Sequence, residues 1–467
     1  MRKLITLLFM VLVETLSSFG QSDSAGFKSD LRIFQKALEE THPNLYRFTA
    51  KAKFDTVFDS IDQKITPKTT ELEFFRLLSK IESLVREGHT YLLPSESLTQ
   101  QLQTKKLFPF EVTISDSIIV VKESFDKKHS SYKNREINAI NGEKSEDIIN
   151  QIANSTGLKS GYNNSALLNI LSFENNFAFS YYYFIDTTST FQIHFENEIV
   201  AIPGIDNFKG EIYPKFPKEC DPPFALQIDS LKRIAIIKIT TFAYWTVSSS
   251  KKEYAETFSK YFSEIEKAGI KYLIIDVRDN RGGEEMLAAE LLTYLVKKDF
   301  RIYKSAKANT LDFKYDLPNS SKFSFRKKDY IKTDSGYFKI QDKVLKTFSP
   351  KSKNHFDGQV YVLSNGGSRS AASILLSLIR FHNIGIIVGQ ESGGVFEDVD
   401  GRKKIKITLP YSKIQLSFPA WSFKIDVEGG DRFRGVMPDY IVKRNIRDTQ
   451  SNKDPELDLV YKLISDE

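Results

Sequence analysis

Gln359-Val-Tyr-Val-Leu363, then Ser364-Asn-Gly-Gly-Ser-Arg369, then Ser370-Ala-Ala-Ser-Ile-Leu-Leu-Ser-Leu-Ile379 form the stretch whose reading decides the fold. The first segment is a short apolar run, read as a buried strand, and the second is a glycine turn. The third has helical apolar periodicity and ends near His382-Asn383. A second apolar run, Ile384-Gly-Ile-Ile-Val-Gly389, leads into Glu391-Ser-Gly-Gly394. The layout is strand, tight turn, serine, helix, strand. A serine in the first turn of a helix sits where unpaired N–H groups and the helix dipole favour negative charge, which suits a nucleophile whose reaction generates an oxyanion. The plainer reading is that Ser368 and Ser370 are N-caps, the usual duty of serines at helix starts.

Outward from this stretch, strands and helices alternate from Phe224 onward. Ile234-Ala-Ile-Ile-Lys-Ile239 and Tyr272-Leu-Ile-Ile-Asp-Val277 read as strands, and Lys252 to Ala268 and Glu284 to Val296 as helices. The polar, basic and aromatic stretch from Arg301 to His355 is read as a solvated surface insertion, with a substrate-contacting lid as the sharper alternative. On the N-terminal side, residues 24–94 carry three apolar stripes at helical spacing. The third ends at Arg86-Glu-Gly-His-Thr-Tyr-Leu92, where Gly88 is the expected C-cap. Residues 105–205 turn to strand patterns. They include Arg135-Glu-Ile-Asn-Ala-Ile-Asn-Gly-Glu143 followed by a helix from Lys144, the local grammar of a PDZ-like module. Five prolines between Pro203 and Pro223 mark a linker over 206–223, which leaves 224–467 as the core domain.

Composition narrows the function classes. With 66 basic and 60 acidic residues the net charge is only +6, too weak over 467 residues to argue for nucleic acid. Cys220 is the only cysteine, so an intrachain disulfide is excluded. Residues 1–20 have the form of a secretory signal: Arg2-Lys3, the apolar run Leu4 to Val13, then small residues, with cleavage expected before Gln21. The reading is an exported protein, periplasmic or extracellular, with no transmembrane helix in its mature chain. Neither HExxH nor a Cys/His cluster at ligand spacing occurs, so no metal and no cofactor is expected.

Four motifs in order then carry a family resemblance. Leu273-Ile-Ile-Asp-Val-Arg-Asp-Asn-Arg-Gly-Gly283, Gly367-Ser-Arg-Ser-Ala-Ala-Ser373, Val388-Gly-Gln-Glu-Ser-Gly-Gly394 and Gly435-Val-Met-Pro-Asp439 resemble those of the S41 serine peptidases, the tail-specific, C-terminal processing and tricorn-core enzymes. The resemblance implies an α/β core, a ClpP/crotonase-like spiral of ββα units over 225–467, in a chain that is α+β overall. It places the nucleophile at Ser370 and oxyanion-hole donors at the N–H of Ala371 and of Gly282 or Gly283. Where the tail-specific branch has its lysine base, this chain has Val395, so a Ser–Lys dyad is not expected. Glu87-Gly-His-Thr-Tyr91 instead resembles the histidine turn of the tricorn-like branch, which makes His89 the base. That pattern has a serine just before the histidine, and here the place is Gly88. The supporting acid is expected at Glu428, with Asp431 and Asp426 as rivals. The expected activity is hydrolysis of peptide bonds in peptides or unfolded C-terminal tails. The alternative is a non-catalytic ligand- or peptide-binding protein on the same fold.

Overall fold

The computed structural model describes residues 24–115, 117–206, 223–246, 250–314, 320–340, 345–443 and 453–466. The export segment 1–20 and nearly all of the proline-rich linker lie outside the described residues.

The three N-terminal stripes form helices α1 (Ser24–Thr41), α2 (Lys51–Lys64) and α3 (Glu71–Val85). A capping box between Thr70 and Glu73 starts α3, and Phe74, Phe75, Leu78, Ile81 and Val85 form its buried face. The helix ends earlier than Gly88. Arg86 takes the left-handed conformation itself (φ 53°), with its guanidinium 4.6 Å above the Tyr162 ring and its carbonyl accepting the Gly161 N–H at 2.8 Å. Residues 87–90 are thereby freed as a turn leading into strand β1 (Tyr91–Leu93).

Between residues 106 and 206 lie several short strands in small sheets, with three α-helices between the first strands and the last. The Asn141-Gly142 signal is a hairpin turn joining Ala139–Ile140 to Glu143–Lys144, with both residues left-handed (φ 52° and 84°), as a type I′ turn requires. The aromatic run that follows coils into helix Asn176–Phe184, buried at every position from Asn176 to Tyr183.

The core is a six-stranded sheet. Its strands are β2 (Phe224–Asp229), β3 (Ile234–Ile239), β4 (Tyr272–Asp276), β6 (Gln359–Ser364), β7 (Ile386–Gly389) and β10 (Tyr440–Ile441), in that order across the sheet. Only the β2–β3 pair is antiparallel. Helices α4 (Lys251–Lys267), α5 (Glu285–Thr293) and α6 (Ala371–Phe381) contribute to the main core of this half. A C-terminal helix α7 (Pro455–Ser465) packs through Val460 against Ile274, Tyr361, Leu363 and Val388. Cover on both faces explains why β4 and β6 read as unbroken apolar runs rather than alternating ones.

A second sheet joins the two halves of the chain. Its strands β8 (Asp398–Thr408) and β9 (Gln415–Ile425) pair together, and β9 also pairs with β1 and with β5 (Tyr303–Ala308). The stretch from Arg301 to His355 is therefore built into the fold rather than a solvated appendage: β5 lies in this sheet, and Phe313, Tyr330 and Phe348 are buried. Ile405, Ile407, Leu416 and Phe418 bury their side chains in one cluster with Phe34, Leu78 and Ile81 of the N-terminal helices. The hydrophobic core thus crosses the boundary expected at Phe224.

Candidate active site

Three serines cluster in the turn after β6, and their surroundings separate them. Ser368 is fully buried; its hydroxyl donates to the Val277 carbonyl at 2.7 Å and accepts the Asn365 N–H at 3.2 Å, which makes it a staple of the turn. Ser373 is buried inside α6. Ser370 is partly exposed and occupies the N-cap position of α6, yet its hydroxyl makes no capping bond. Its backbone sits at φ 51°, ψ −121°, a region costly for any residue with a Cβ. A serine held in a strained strand-to-helix turn presents its Oγ outward, away from the helix it begins.

The glycine turn after β4 is laid directly against this serine. Asn280 is fully buried: its Nδ2 donates to the Ile239 carbonyl at 3.0 Å, its Oδ1 accepts the Gly282 N–H at 2.9 Å, and its carbonyl accepts the Arg369 N–H at 2.9 Å. One residue therefore ties together the end of β3, the glycine turn and the serine turn. Gly282 (φ 96°) has no room for a side chain; a Cβ there would lie 2.6 Å from the Ser370 Cβ and 2.8 Å from the Ala371 nitrogen. Because Asn280 occupies the Gly282 N–H, the two expected glycine donors are not equivalent. Among the described residues the N–H groups of Gly283 and Ala371 have no hydrogen-bond partner, so these two are available to an oxyanion.

His89 comes from the turn after α3 and lines the same cavity as Ser370, together with Arg47, Glu87, Arg369 and Val395. No hydrogen bond joins the Ser370 hydroxyl to His89 among the described residues. The His89 Nδ1 lies 2.6 Å from Glu87 Oε1, and the His89 backbone N–H donates to Glu87 Oε2 at 3.0 Å. Burial alone would raise the Glu87 carboxyl, but His89 beside it, with His42 and Arg47, holds it below the usual carboxylate range. With Nδ1 engaged, Nε2 is the nitrogen left for Ser370.

The carboxylate at the histidine is therefore Glu87, and the acid expected downstream is corrected. Glu428 is exposed and does not line the cavity. Asp431 is also exposed and accepts the Phe433 N–H at 2.8 Å within its own turn. Asp426 pairs with Arg301 at 3.0 Å. The signal for Glu87 lay in the quoted histidine turn itself, since a carboxylate two residues from a histidine across a glycine shares one tight turn with it. Gly88 leaves room for a neighbour: a Cβ there would meet the Arg369 guanidinium, which would have to shift for this turn to carry the serine of the tricorn pattern.

Val395, standing where the other branch has its lysine, is buried and apolar, and among the described residues no lysine lines the cavity. Lys159 is adjacent to the cavity-lining Ser160; burial and Arg86 bring its amine down to about 8. Sequence spacing also missed one group of metal-ligand types. His42, Glu87 and Asp400, all buried, place ligand atoms within 4.8 Å of one another. Their capacity is largely used within the protein: Asp400 pairs with Arg47 at 2.6 Å, Glu87 with His89, and both ring nitrogens of His42 are hydrogen-bonded.

Comparison with known proteins adds the family. Residues 233–412 match the model of peptidase family S41. This stretch of the chain is similar to an S41 peptidase domain. The S41 match supports a serine-type peptidase, a hydrolase acting on peptides or proteins, and the four motifs read in sequence point the same way. No curated protein sequence matches the chain. Among solved structures, mature CPAF superposes with a TM-score of 0.64 at 13% identity, covering 95% of this chain and 98% of CPAF. CPAF complexed with lactacystin gives 0.63 at 12%, covering 95% and 99%. A Parabacteroides merdae protein assigned as a peptidase gives 0.50 at 14%, covering 94% and 96%. At these identities the likeness is one of fold. The S41 domain does not contain His89, which the N-terminal helices bring to it from outside the matched residues.

Proposed function

We propose that this chain is an exported serine peptidase that cleaves peptides or unfolded C-terminal tails, with Ser370 as nucleophile, His89 as base and Glu87 as the acid that orients it. The observation that carries the proposal is the shared cavity of Ser370 and His89, with Glu87 on the far ring nitrogen of the histidine. Ser370 Oγ attacks the scissile carbonyl carbon while its proton passes to His89 Nε2. The carbonyl oxygen becomes an oxyanion that accepts from the Ala371 and Gly283 N–H groups. The C–N bond breaks as His89 returns the proton to the leaving amine, and an ester remains on Ser370. Water, giving a proton to His89, attacks that ester; the bond to Ser370 Oγ breaks and the serine regains its hydrogen. Hydrogen bonds between nucleophile and base are often long in unliganded enzymes and tighten around the substrate.

A non-catalytic binder on this fold would bury Ser370 without a base, whereas here it is open to a cavity that holds a histidine. Export rests on Arg2-Lys3 and the apolar run after them. Region 105–205 is proposed as a PDZ-like module that holds the substrate chain, supported by its Asn-Gly hairpin and the helix Ser145–Ala153 after it. The test is a fluorophosphonate probe on the full chain. Labelling should map to Ser370, vanish in Ser370→Ala and fall sharply in His89→Ala. Labelling that survives Ser370→Ala would refute the assignment.

A further inference from the structure

The Glu87 carboxylate has two oxygens, and only Oε1 faces the His89 ring. The other, Oε2, accepts the His89 backbone N–H at 3.0 Å and also begins a buried chain of hydrogen bonds that leads away from the site. Thr90 donates its hydroxyl hydrogen to Glu87 Oε2 at 3.3 Å, and the Thr90 Oγ1 lies 3.0 Å from His42 Nε2. The direction of that last bond follows from its surroundings. The Asn44 N–H points at His42 Nδ1 at 3.2 Å, so Nδ1 must be the unprotonated acceptor and Nε2 carries the hydrogen. His42 therefore donates to Thr90, and Thr90 donates to Glu87. His42 is 0% exposed and Thr90 1%, so both are shielded from bulk water.

We propose that His42 and Thr90 are positioning residues for the hydrolytic reaction, fixing Glu87 through Oε2 so that Oε1 stays on His89 Nδ1. This rests on the reading of Ser370, His89 and Glu87 given above. His42 is itself immobilised from three directions. It follows the last residue of α1, its ring stacks on Phe418 of β9 at 5.9 Å, and its carbonyl accepts from Asn309 Nδ2 at 2.5 Å. Burial, with Arg47 acting the same way against the pull of Glu87, brings its pKa down to about 4. It is thus a neutral donor near neutral pH and leaves the Glu87 charge to His89. A charged His42 would carry a hydrogen on Nδ1 directed at the Asn44 N–H. Asp400, the other carboxylate beside His42 and Glu87, is paired with Arg47.

The experiment compares Thr90→Val, Thr90→Ser and His42→Phe in the full chain, with His89→Ala as reference. It measures kcat per active site titrated by prolonged fluorophosphonate labelling, alongside KM on a peptide substrate. Losing one buried hydrogen bond to a charged group should lower kcat per site by about 10- to 100-fold, with KM changed by less than about twofold. Thr90→Ser should recover to within about threefold of wild type. Joining Thr90→Val to His42→Phe should cost no more than the worse single change, because both act through Glu87. Wild-type kcat per site in Thr90→Val, with His89→Ala inactive, would overturn the proposal. So would variants that lose titratable sites but keep kcat per site, which is the signature of a merely structural role. Activity surviving in His89→Ala would instead overturn the underlying assignment of the base. If His42→Phe does not fold, the valine and serine variants of Thr90 decide the matter.

Discussion

At Gly282 a single hydrogen atom separates a working turn from a blocked one. Gly282→Ala would drive a methyl into the Ser370 Cβ and the Ala371 nitrogen, and would also ask alanine to adopt φ 96°. The expected result is a folded protein whose kcat falls by about 100-fold or more, the scale seen when an oxyanion donor is misplaced. Near-wild-type kcat in this variant would show that the turn does not serve the oxyanion. Glu87→Gln should be nearly as costly, since an amide favours the wrong tautomer of His89, whereas Glu428→Gln should leave kcat within about twofold. Lys159→Met should also be mild; a dead Lys159→Met beside an active His89→Ala would point to a lysine base. EDTA should leave turnover unchanged, because the ring nitrogens of His42 are bonded to Thr90 and Asn44, Glu87 to His89, and Asp400 through one oxygen to Arg47; loss reversed by zinc would refute that. The proposed roles of Ser370, Ala371 and His89 could be nominated from sequence because each sits in a local motif. Glu87 was quoted there but given no role, and choosing it over Glu428 required knowing which carboxylate faces the ring, a fact of three dimensions.

At the scale of elements, helix α3 carries a group whose charge the fold disfavours. Glu82 is buried and accepts the Gly157 N–H at 2.7 Å and the Leu92 N–H at 3.2 Å, yet burial pushes its carboxyl up to about 8. From pH 4.5 to 8 the folded chain keeps a proton there that the unfolded chain releases. Its contribution to stability is therefore full below 4.5 and is lost as pH rises through 8. His42 runs the other way: its contribution is full above 6.5 and is lost as pH falls through 4. The two offset each other between 4.5 and 6.5, and from 6.5 to 8 Glu82 acts alone. Urea melts should show stability falling by roughly 1–2 kcal/mol over that last interval, and Glu82→Gln should flatten the fall. An unchanged slope would mean that Glu82 is ionised in the fold. The turn into α6 offers a second measurement. Ser370→Gly relieves the positive φ that Ser370→Ala retains, so the glycine variant should be the more stable by about 1 kcal/mol. The elements themselves were largely readable: β3 falls where its apolar run lies, and α4 and α6 fall within about two residues of expectation. The end of α3 was not, because Arg86 rather than a glycine takes the left-handed turn, held by Tyr162 from a distant segment.

Over the whole molecule, the boundary expected at Phe224 does not divide the packing. Strand β9 pairs with β1, Phe418 supports His42, and the Asp30 carboxylate of α1 accepts the N–H groups of Tyr411 and Ser412 at 3.0 and 2.7 Å and the Ser412 hydroxyl at 2.6 Å. A fragment starting at Phe224, which the alternating strands and helices suggested would fold alone, exposes Ile405, Ile407, Leu416 and Phe418 and should aggregate. A soluble, cooperatively melting fragment would contradict this. Asp30→Ala, which strands two buried donors of Ser412 and the half-buried N–H of Tyr411, should destabilise the full chain by about 2–4 kcal/mol in urea. Sequence could not show this contact, since nothing local ties α1 to the turn between β8 and β9. The pairing of β1 with β9 also sets an order of events in time. The ribosome makes the histidine turn early, but β1 has no partner, and His42 no support from Phe418, until β9 has been synthesised near the other end. On the proposed mechanism, a growing chain that has not yet reached β9 lacks the supported histidine turn and would be inert toward its neighbours.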